Sequence, residues 1–454
     1  MRVTLRDRER DDSMKWALGV GVVSAVVGLI VGCATGGKDP NGSGGSKNCV
    51  DGETRCMGNN VLRCKDDVFE DIGPCIGQTC MGDGVCMGEC APVQKQCNGL
   101  TAQECMDGAW STIQECPFAC ADGACAGQCA PNSIQCKGNM RQTCNPASFW
   151  EDLAECTDPG YYCVKGECVL PPSCAGLPLN CGPGGNETCC QSVTVTGGTY
   201  NRVNDPAFAA TVGDYRLDRF EVTVGRFRKF VEAYPNSKPK SNSGAHPKML
   251  GSGWNTDWDT SLPATAAELV QSLKCAAEAT WTDAAGANEL LPINCLDWYT
   301  AFAFCAWDGA RLPTESEWNH AASGGKEQRE YPWSNPASST VIDATYAVYN
   351  CEGDGVGQCA FTDILKVASK SPQGDGLWGH ADLGGSMWEW MVDRYGPLTT
   401  PCVDCANLTG SDTYRVVRGG GWAIHELLLL NSARYNQTPF IRQKDIGVRC
   451  ARNP

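Results

Sequence analysis

Residues 376–393 read GLWGHADLGGSMWEWMVD, a run in which glycines crowd ahead of Trp388, Glu389 and Trp390. The surrounding sequence, from about residue 192 onward, is rich in tryptophan and broken by long Gly, Pro and Asn stretches. Such a texture predicts much irregular loop around a modest core of mixed helix and strand. Four helices can be read from local chemistry. Phe227, Phe230, Val231 and Tyr234 fall at i, i+3, i+4 and i+7 and share one face. Thr265 with Glu268, and Thr314 with Glu317, form capping boxes ahead of apolar residues. Asp297 caps a segment that buries Trp298, Ala301, Phe302 and Cys305, and Gly309 stops it.

Four blocks, in order, carry a resemblance: LDRFEVTVGRFRKFVEAY (217–234), LPINCLDWYTAFAFCAWDGARLPTESEWNHAA (291–322), the run at 376–393, and RVVRGGGWAIHELLLLNSARYNQTPFIRQKDIGVRCAR (415–452). Together they cover roughly residues 195–454, which resemble the formylglycine-generating enzyme, or sulfatase-modifying factor, family. The resemblance implies an α+β, C-type-lectin-like fold: a twisted, largely antiparallel sheet with flanking helices and abundant loops. It also implies a disulfide between Cys305 and Cys450. That bridge would close a loop of about 145 residues, a length at which chain-entropy arguments give several kcal/mol.

Enzymes of this family oxidise a cysteine to formylglycine with oxygen and a copper ion held by two cysteines five residues apart, just after an RGG segment. Counted from Arg418-Gly419-Gly420, those positions hold Ile424 and Leu429. Neither side chain binds a metal or acts as a nucleophile, and Cu(I) needs soft thiolates. His425 alone cannot rebuild a two-thiolate site, so no catalytic residue is assigned and copper is not expected. The same resemblance implies calcium held by Asp382, Gly385, Met387 and Glu389, whose carboxylate and carbonyl oxygens suit a hard cation. Trp388 and Trp390 are read as core, with a sugar or peptide groove as the other option. Cys275, Cys295, Cys351, Cys359, Cys402 and Cys405 are read as structural. Cys402 and Cys405 have CxxC spacing but lack the βαβ setting of a redox motif. Gly353–Gly357 is read as a turn tied by flanking cysteines.

Upstream lies a different kind of chain. Of 31 cysteines, 22 fall between Cys49 and Cys190, a density that marks a disulfide scaffold in an oxidising compartment. They repeat at about forty residues across 49–168: Cys49, Cys56, Cys64, Cys75, Cys80, Cys86, then two further sets beginning at Cys90 and Cys129. Six cysteines per repeat predict three bridges, among fifteen possible connectivities. Residues 169–194 form a cysteine-rich bridge in which adjacent Cys189 and Cys190 are expected to pair outward.

Residues 1–32 read as a signal peptide. Ala17–Gly32 is an apolar run of about sixteen residues, short for a bilayer span, and it ends at Ile30-Val31-Gly32-Cys33. The acids Asp7, Glu9, Asp11 and Asp12 fit poorly with a basic leader, so Met14 is read as the true start. Cys33 resembles a lipobox cysteine, the lipid attachment point, and residues 33–48 form a flexible Gly/Ser/Asn tether. Thirty cysteines then remain, an even number for fifteen disulfides.

The expectation is an exported lipoprotein attached to the outer membrane, displaying a non-catalytic sulfatase-modifying-factor-type domain as a binding or structural module with a protein or glycan ligand. The alternative is an oxygen-dependent modifying enzyme with a rearranged site. A net charge of −15 argues against nucleic acid as partner, since that affinity depends on Lys and Arg displacing counterions.

Overall fold

The computed structural model describes residues 49–409 and 413–454. The signal peptide, Cys33 and the tether lie outside the described residues. Each cysteine-rich repeat forms a small antiparallel sheet and then a hairpin. In the first, Thr54–Met57, Asn60–Lys65 and Val68–Pro74 pair in sequence order, and Thr79–Met81 pairs with Val85–Met87. The third does the same with Ile134–Lys137, Met140–Cys144 and Trp150–Glu155, then Tyr162–Val164 and Glu167–Val169.

One connectivity is used throughout: first to third, second to fifth, fourth to sixth. It gives Cys49–Cys64, Cys56–Cys80 and Cys75–Cys86 in one repeat, and Cys129–Cys144, Cys136–Cys163 and Cys156–Cys168 in another. Cys97–Cys120 and Cys116–Cys125 follow the same order. The apolar cluster of the first repeat is Val61 packed on Cys56, Cys75, Cys80 and Cys86. Cystine is therefore the core, as a unit this small requires.

The chain divides into two compact units, one running to Pro92 with Asp107–Ala109, the other holding Val93–Met106 and Trp110–Pro454. In the second unit, the described residues of the C-terminal domain form three small sheets and four α-helices, with short 3-10 turns between them. Strands β1 (Ser192–Val195) and β4 (Tyr215–Asp218) pair with the final strand β10 (Ala451–Arg452); β2 (Gly198–Asn201) and β3 (Ala209–Val212) join β6 (Cys402–Val403). The third sheet runs β8 (Tyr435–Gln437), β7 (Arg415–Arg418), β5 (Trp388–Arg394), β9 (Ile446–Gly447).

All four expected helices are present: α1 (Val224–Ala233), α2 (Ala266–Ser272), α3 (Trp298–Trp307) and α4 (Glu315–Ala322). Both capping boxes form, and Asp297 caps α3. Glu317 does more than cap. Its two oxygens take a bidentate pair from Arg311 at 2.6 and 2.7 Å. Burial alone would raise its carboxyl, but Arg311 and His246 hold it well below the usual range. Cys305 on α3 is bonded to Cys450, 145 residues away, with Cα atoms 5.6 Å apart.

The cysteine-rich bridge packs on this domain. Cys189 and Cys190 do pair outward, to Cys181 and Cys174, and Cys181 and Cys189 share an apolar cluster with Phe220, Val367, Ala368 and Ala381. A buried, charge-balanced quartet locks the joint. Arg226 bonds Asp218 at 2.8 Å and Asp308 at 2.7 Å, while Arg452 bonds the same two carboxylates. Ser173 of the bridge donates its backbone N–H to Asp308 and accepts from Arg226 Nε. Among the described residues no helix is long and apolar enough to cross a membrane.

Candidate functional site

Two neighbouring places in the domain bear on function, one acidic and one apolar. The acidic place is the turn that leads into β5. Asp382 sits at φ 58° and accepts the Ala368 N–H at 2.6 Å. Gly385 is required by contact: a Cβ there would lie 2.4 Å from the Val348 carbonyl oxygen, and its φ is +88°. Met387 is fully buried, and its N–H donates to Glu221 Oε1 at 2.9 Å. Glu389 is fully buried on β5, where Arg449 grips it with Nε and Nη2 at 2.9 to 3.2 Å and Trp318 Nε1 donates at 2.8 Å.

Glu389 is therefore less free than its residue type suggests, because both oxygens already accept hydrogen bonds. Glu221, which sequence reasoning missed, is the compensating addition. It is fully buried, accepts from Ser386 Oγ and the Met387 N–H, and lies 165 residues away in the chain. Its signal was an acid set between Phe220 and Val222 in an otherwise apolar stretch.

When ionised, Glu221, Asp382 and Glu389 present three negative charges against the single guanidinium of Arg449. Burial, then repulsion from Asp382 and Glu389, pushes the Glu221 carboxyl well above the usual range. Burial likewise pushes Asp382 up to about 6. Carboxylate oxygens are the donor type that suits calcium, but those of Glu221, Asp382 and Glu389 already accept hydrogen bonds from Ser386, Met387, Ala368, Trp318 and Arg449. Among the described residues no three His, Cys, Asp or Glu side chains converge on one point, so backbone carbonyls such as those of Gly385 and Met387 would have to complete the shell.

The apolar place is the segment after Arg418-Gly419-Gly420. Leu429 is fully buried against Tyr331, Trp333 and Ala347, and a Cβ on Gly420 would lie 2.5 Å from its Cδ1. Ile424 packs partly buried between this cluster and the main core. His425 is exposed at the start of the Glu426–Leu428 turn. Hydrocarbon thus occupies both positions where copper-binding thiolates would stand, and the site does not fit copper.

Beside these residues lies an open groove of about 480 Å³, walled by Trp388, Ile424, Leu428 and Tyr435 with Arg442 and Lys444 on the rim. Trp388 stacks on Tyr435 with ring centroids 5.4 Å apart. Both tryptophans of the opening motif are core, as read from the sequence: Trp390 donates Nε1 to the Leu296 carbonyl, and Trp388, 3% exposed, also borders the groove. The remaining domain cysteines pair as Cys275–Cys295, Cys351–Cys359 and Cys402–Cys405, and the second of these ties the Gly353–Gly357 turn.

Residues 181–454 match the family described as sulfatase-modifying factor enzyme 1-like domain. Over 275 residues the chain is 27% identical to the formylglycine-generating enzyme of Streptomyces coelicolor, covering 54% of this chain and 80% of that protein. Over 268 residues it is 29% identical to the mouse (Mus musculus) protein named inactive C-alpha-formylglycine-generating enzyme 2, covering 54% and 77%. The solved structure of PvdO from Pseudomonas aeruginosa is similar over 58% of this chain and 94% of that one, at 18% identity and a TM-score of 0.41. With more than half of its length matched, this chain belongs to the sulfatase-modifying factor enzyme 1-like family.

Proposed function

We propose that the C-terminal domain is a non-catalytic binding module, carried on a disulfide stalk by an exported, lipid-anchored protein of the outer membrane. The observation that carries this reading is the pair Ile424 and Leu429, apolar where the chemistry needs thiolates, beside an open groove. The likeness to a relative named inactive supports it, while a relative named formylglycine-generating enzyme matches at a similar identity. Calcium at Asp382 and its neighbours would neutralise the buried carboxylates and fix the turn that presents Trp388. The occupant of the groove is a protein segment offering an apolar side chain to Ile424, Leu428 and Tyr435, since the rim cations Arg442 and Lys444 are already paired with Asp297 and Glu278. Selection of displayed peptides on the protein should enrich that pattern, and Tyr435→Ala should abolish the enrichment. Enrichment that survives Tyr435→Ala would place binding elsewhere. For the anchor, Cys33→Ala should move the protein out of detergent-requiring membrane fractions; an unmodified Cys33 by mass spectrometry, with unchanged fractionation, would contradict it.

A further inference from the structure

The Cys402–Cys405 disulfide is unlike the others in what surrounds its sulfur. Cys402 is buried on β6, whereas Cys405 is partly exposed at a small cleft shared with Arg202, Glu315, Asp393, Thr399 and Arg434. Arg202 is 4% exposed, and its guanidinium is spread over three acceptors: the Phe208 carbonyl, the Thr399 carbonyl and, at 3.7 Å, Cys405 Sγ. Among the described residues Arg202 forms no ion pair. The nearby carboxylates are committed elsewhere: Glu315 to Arg434 and Arg418, Asp393 to the Glu315 and Asn407 N–H groups. Glu315 and Asp393 share the cleft and attract Arg202 without pairing with it directly, and among the side chains its guanidinium touches, the one that can become an anion is Cys405.

The bridge also contributes little as a staple. It spans a sequence separation of 3, against 145 for Cys305–Cys450, and chain-entropy stabilisation grows with loop length. The loop is held without it: the Asp404 N–H donates to the Thr211 carbonyl at 2.8 Å, and its carboxylate takes Gly213 N–H and Lys248 Nζ, each at 2.6 Å.

We propose that Cys402–Cys405 is a thiol–disulfide exchange site that accepts two electrons from a dithiol, with Arg202 holding the Cys405 thiolate. The donor's first thiolate attacks the accessible Cys405 Sγ. The Cys402–Cys405 S–S bond breaks, a mixed disulfide forms, and Cys402 leaves and takes a proton. The donor's second thiolate then attacks its own sulfur in the mixed disulfide and expels Cys405 as a thiolate beside Arg202. The donor ends as a disulfide, having lost two electrons and two protons; one proton is on Cys402 and the other in solvent. A stabilised leaving thiolate speeds the second step and makes the pair more oxidising.

The test equilibrates the full-length protein with graded ratios of oxidised to reduced dithiothreitol, traps thiols by alkylation and reads each pair by peptide mass spectrometry. Cys351–Cys359 is the internal control, since Cys359 is exposed and among the described residues no guanidinium contacts its sulfur. Cys402–Cys405 should be half reduced at a ratio at least about tenfold more oxidising than the control. In reduced protein, Cys405 should alkylate with a midpoint below the ordinary thiol value of about 8.5. Arg202→Gln should erase both differences, and Arg202→Lys should keep part of each. Should Arg202→Gln not fold, the wild-type ratio and alkylation midpoint still decide. Equal half-reduction of the two pairs, or an ordinary alkylation midpoint for Cys405, would overturn the proposal.

Discussion

The turn at 382–389 and the segment at 424–429 flank the same glycines yet have taken opposite chemical courses. The first keeps carboxylates where the family pattern asks for hard oxygen ligands, and adds Glu221 and Arg449 around them. The second holds Ile424 and Leu429 at the positions where the resemblance implies metal ligands; Leu429 packs as core and Ile424 lies partly buried against it. Buried charge is costly unless it is paired or holds an ion, so the acidic turn depends on Arg449 and its hydrogen-bond donors. The apolar segment carries no buried charge and is held by packing alone.

The largest expected effect breaks the acidic side. Arg449→Met leaves Glu221 and Glu389 without their guanidinium, and removal of one partner from a buried pair costs about 3–5 kcal/mol. Urea unfolding at pH 7.5 without calcium should show that loss. A change under about 1 kcal/mol would mean that the carboxylates are already neutralised by protons.

On the apolar side, Leu429→Ala should cost about 2–5 kcal/mol as a core truncation, and Ile424→Ala, at a partly exposed position, distinctly less. Equal costs would show that Leu429 is not the core residue its burial suggests.

Between the two lies α4, and His320 on it sharpens the comparison through pH. Burial pushes its imidazole down to about 4, against the attraction of Glu317, and its Nδ1 has no hydrogen-bond partner. The folded form keeps His320 neutral while the unfolded chain takes up a proton below about 6.5. Stability should therefore fall as pH drops from about 6.5 to about 4, by up to about 3 kcal/mol from this group. Comparing denaturation midpoints at pH 7 and pH 4.5 for wild type and His320→Gln isolates the term, because the variant should lose that part of the slope. An unchanged slope would assign it to other groups.

Calcium gives the smallest shift and the most specific one. At a hundredfold excess over its dissociation constant, an ion that binds only the folded form adds about 2.7 kcal/mol. Melting temperature should rise on adding calcium to chelated protein under non-reducing conditions, and magnesium should do less, since it holds its waters and demands octahedral geometry. Asp382→Asn is the informative variant, because Glu389 also serves Arg449 and its loss would mix two effects. Identical melting of chelated, calcium-loaded and Asp382→Asn protein would make these carboxylates plain turn supports.

Legibility in the sequence followed the range of the interaction. Thr265, Asp297 and Thr314 announced their helices because a cap acts within one turn, and each does cap. The order of bridges within a repeat was closed to sequence reading, since nothing local chooses among fifteen pairings until the sheet and hairpin bring second to fifth and fourth to sixth. Cys305–Cys450 followed from the resemblance alone; spacing would not have found a partner 145 residues away. Asp382 and Glu389 stood in the motif, but Glu221 and Arg449 reach it from segments 165 and 60 residues distant in the chain. Tyr435 and Arg442, on the groove wall and rim, come from a closing segment whose loops hide which side chains face inward.

The claim on which the rest depends is that Ile424 and Leu429 leave this domain without the family's oxidation chemistry. Purified protein incubated with Cu(I), reductant, oxygen and a peptide containing CxPxR tests it directly, with aldehyde read by mass spectrometry. The account predicts no formylglycine above the peptide-only background and no copper retained after desalting. Turnover of the peptide to aldehyde, lost on chelating copper, would contradict it and make this protein an enzyme with a rearranged site.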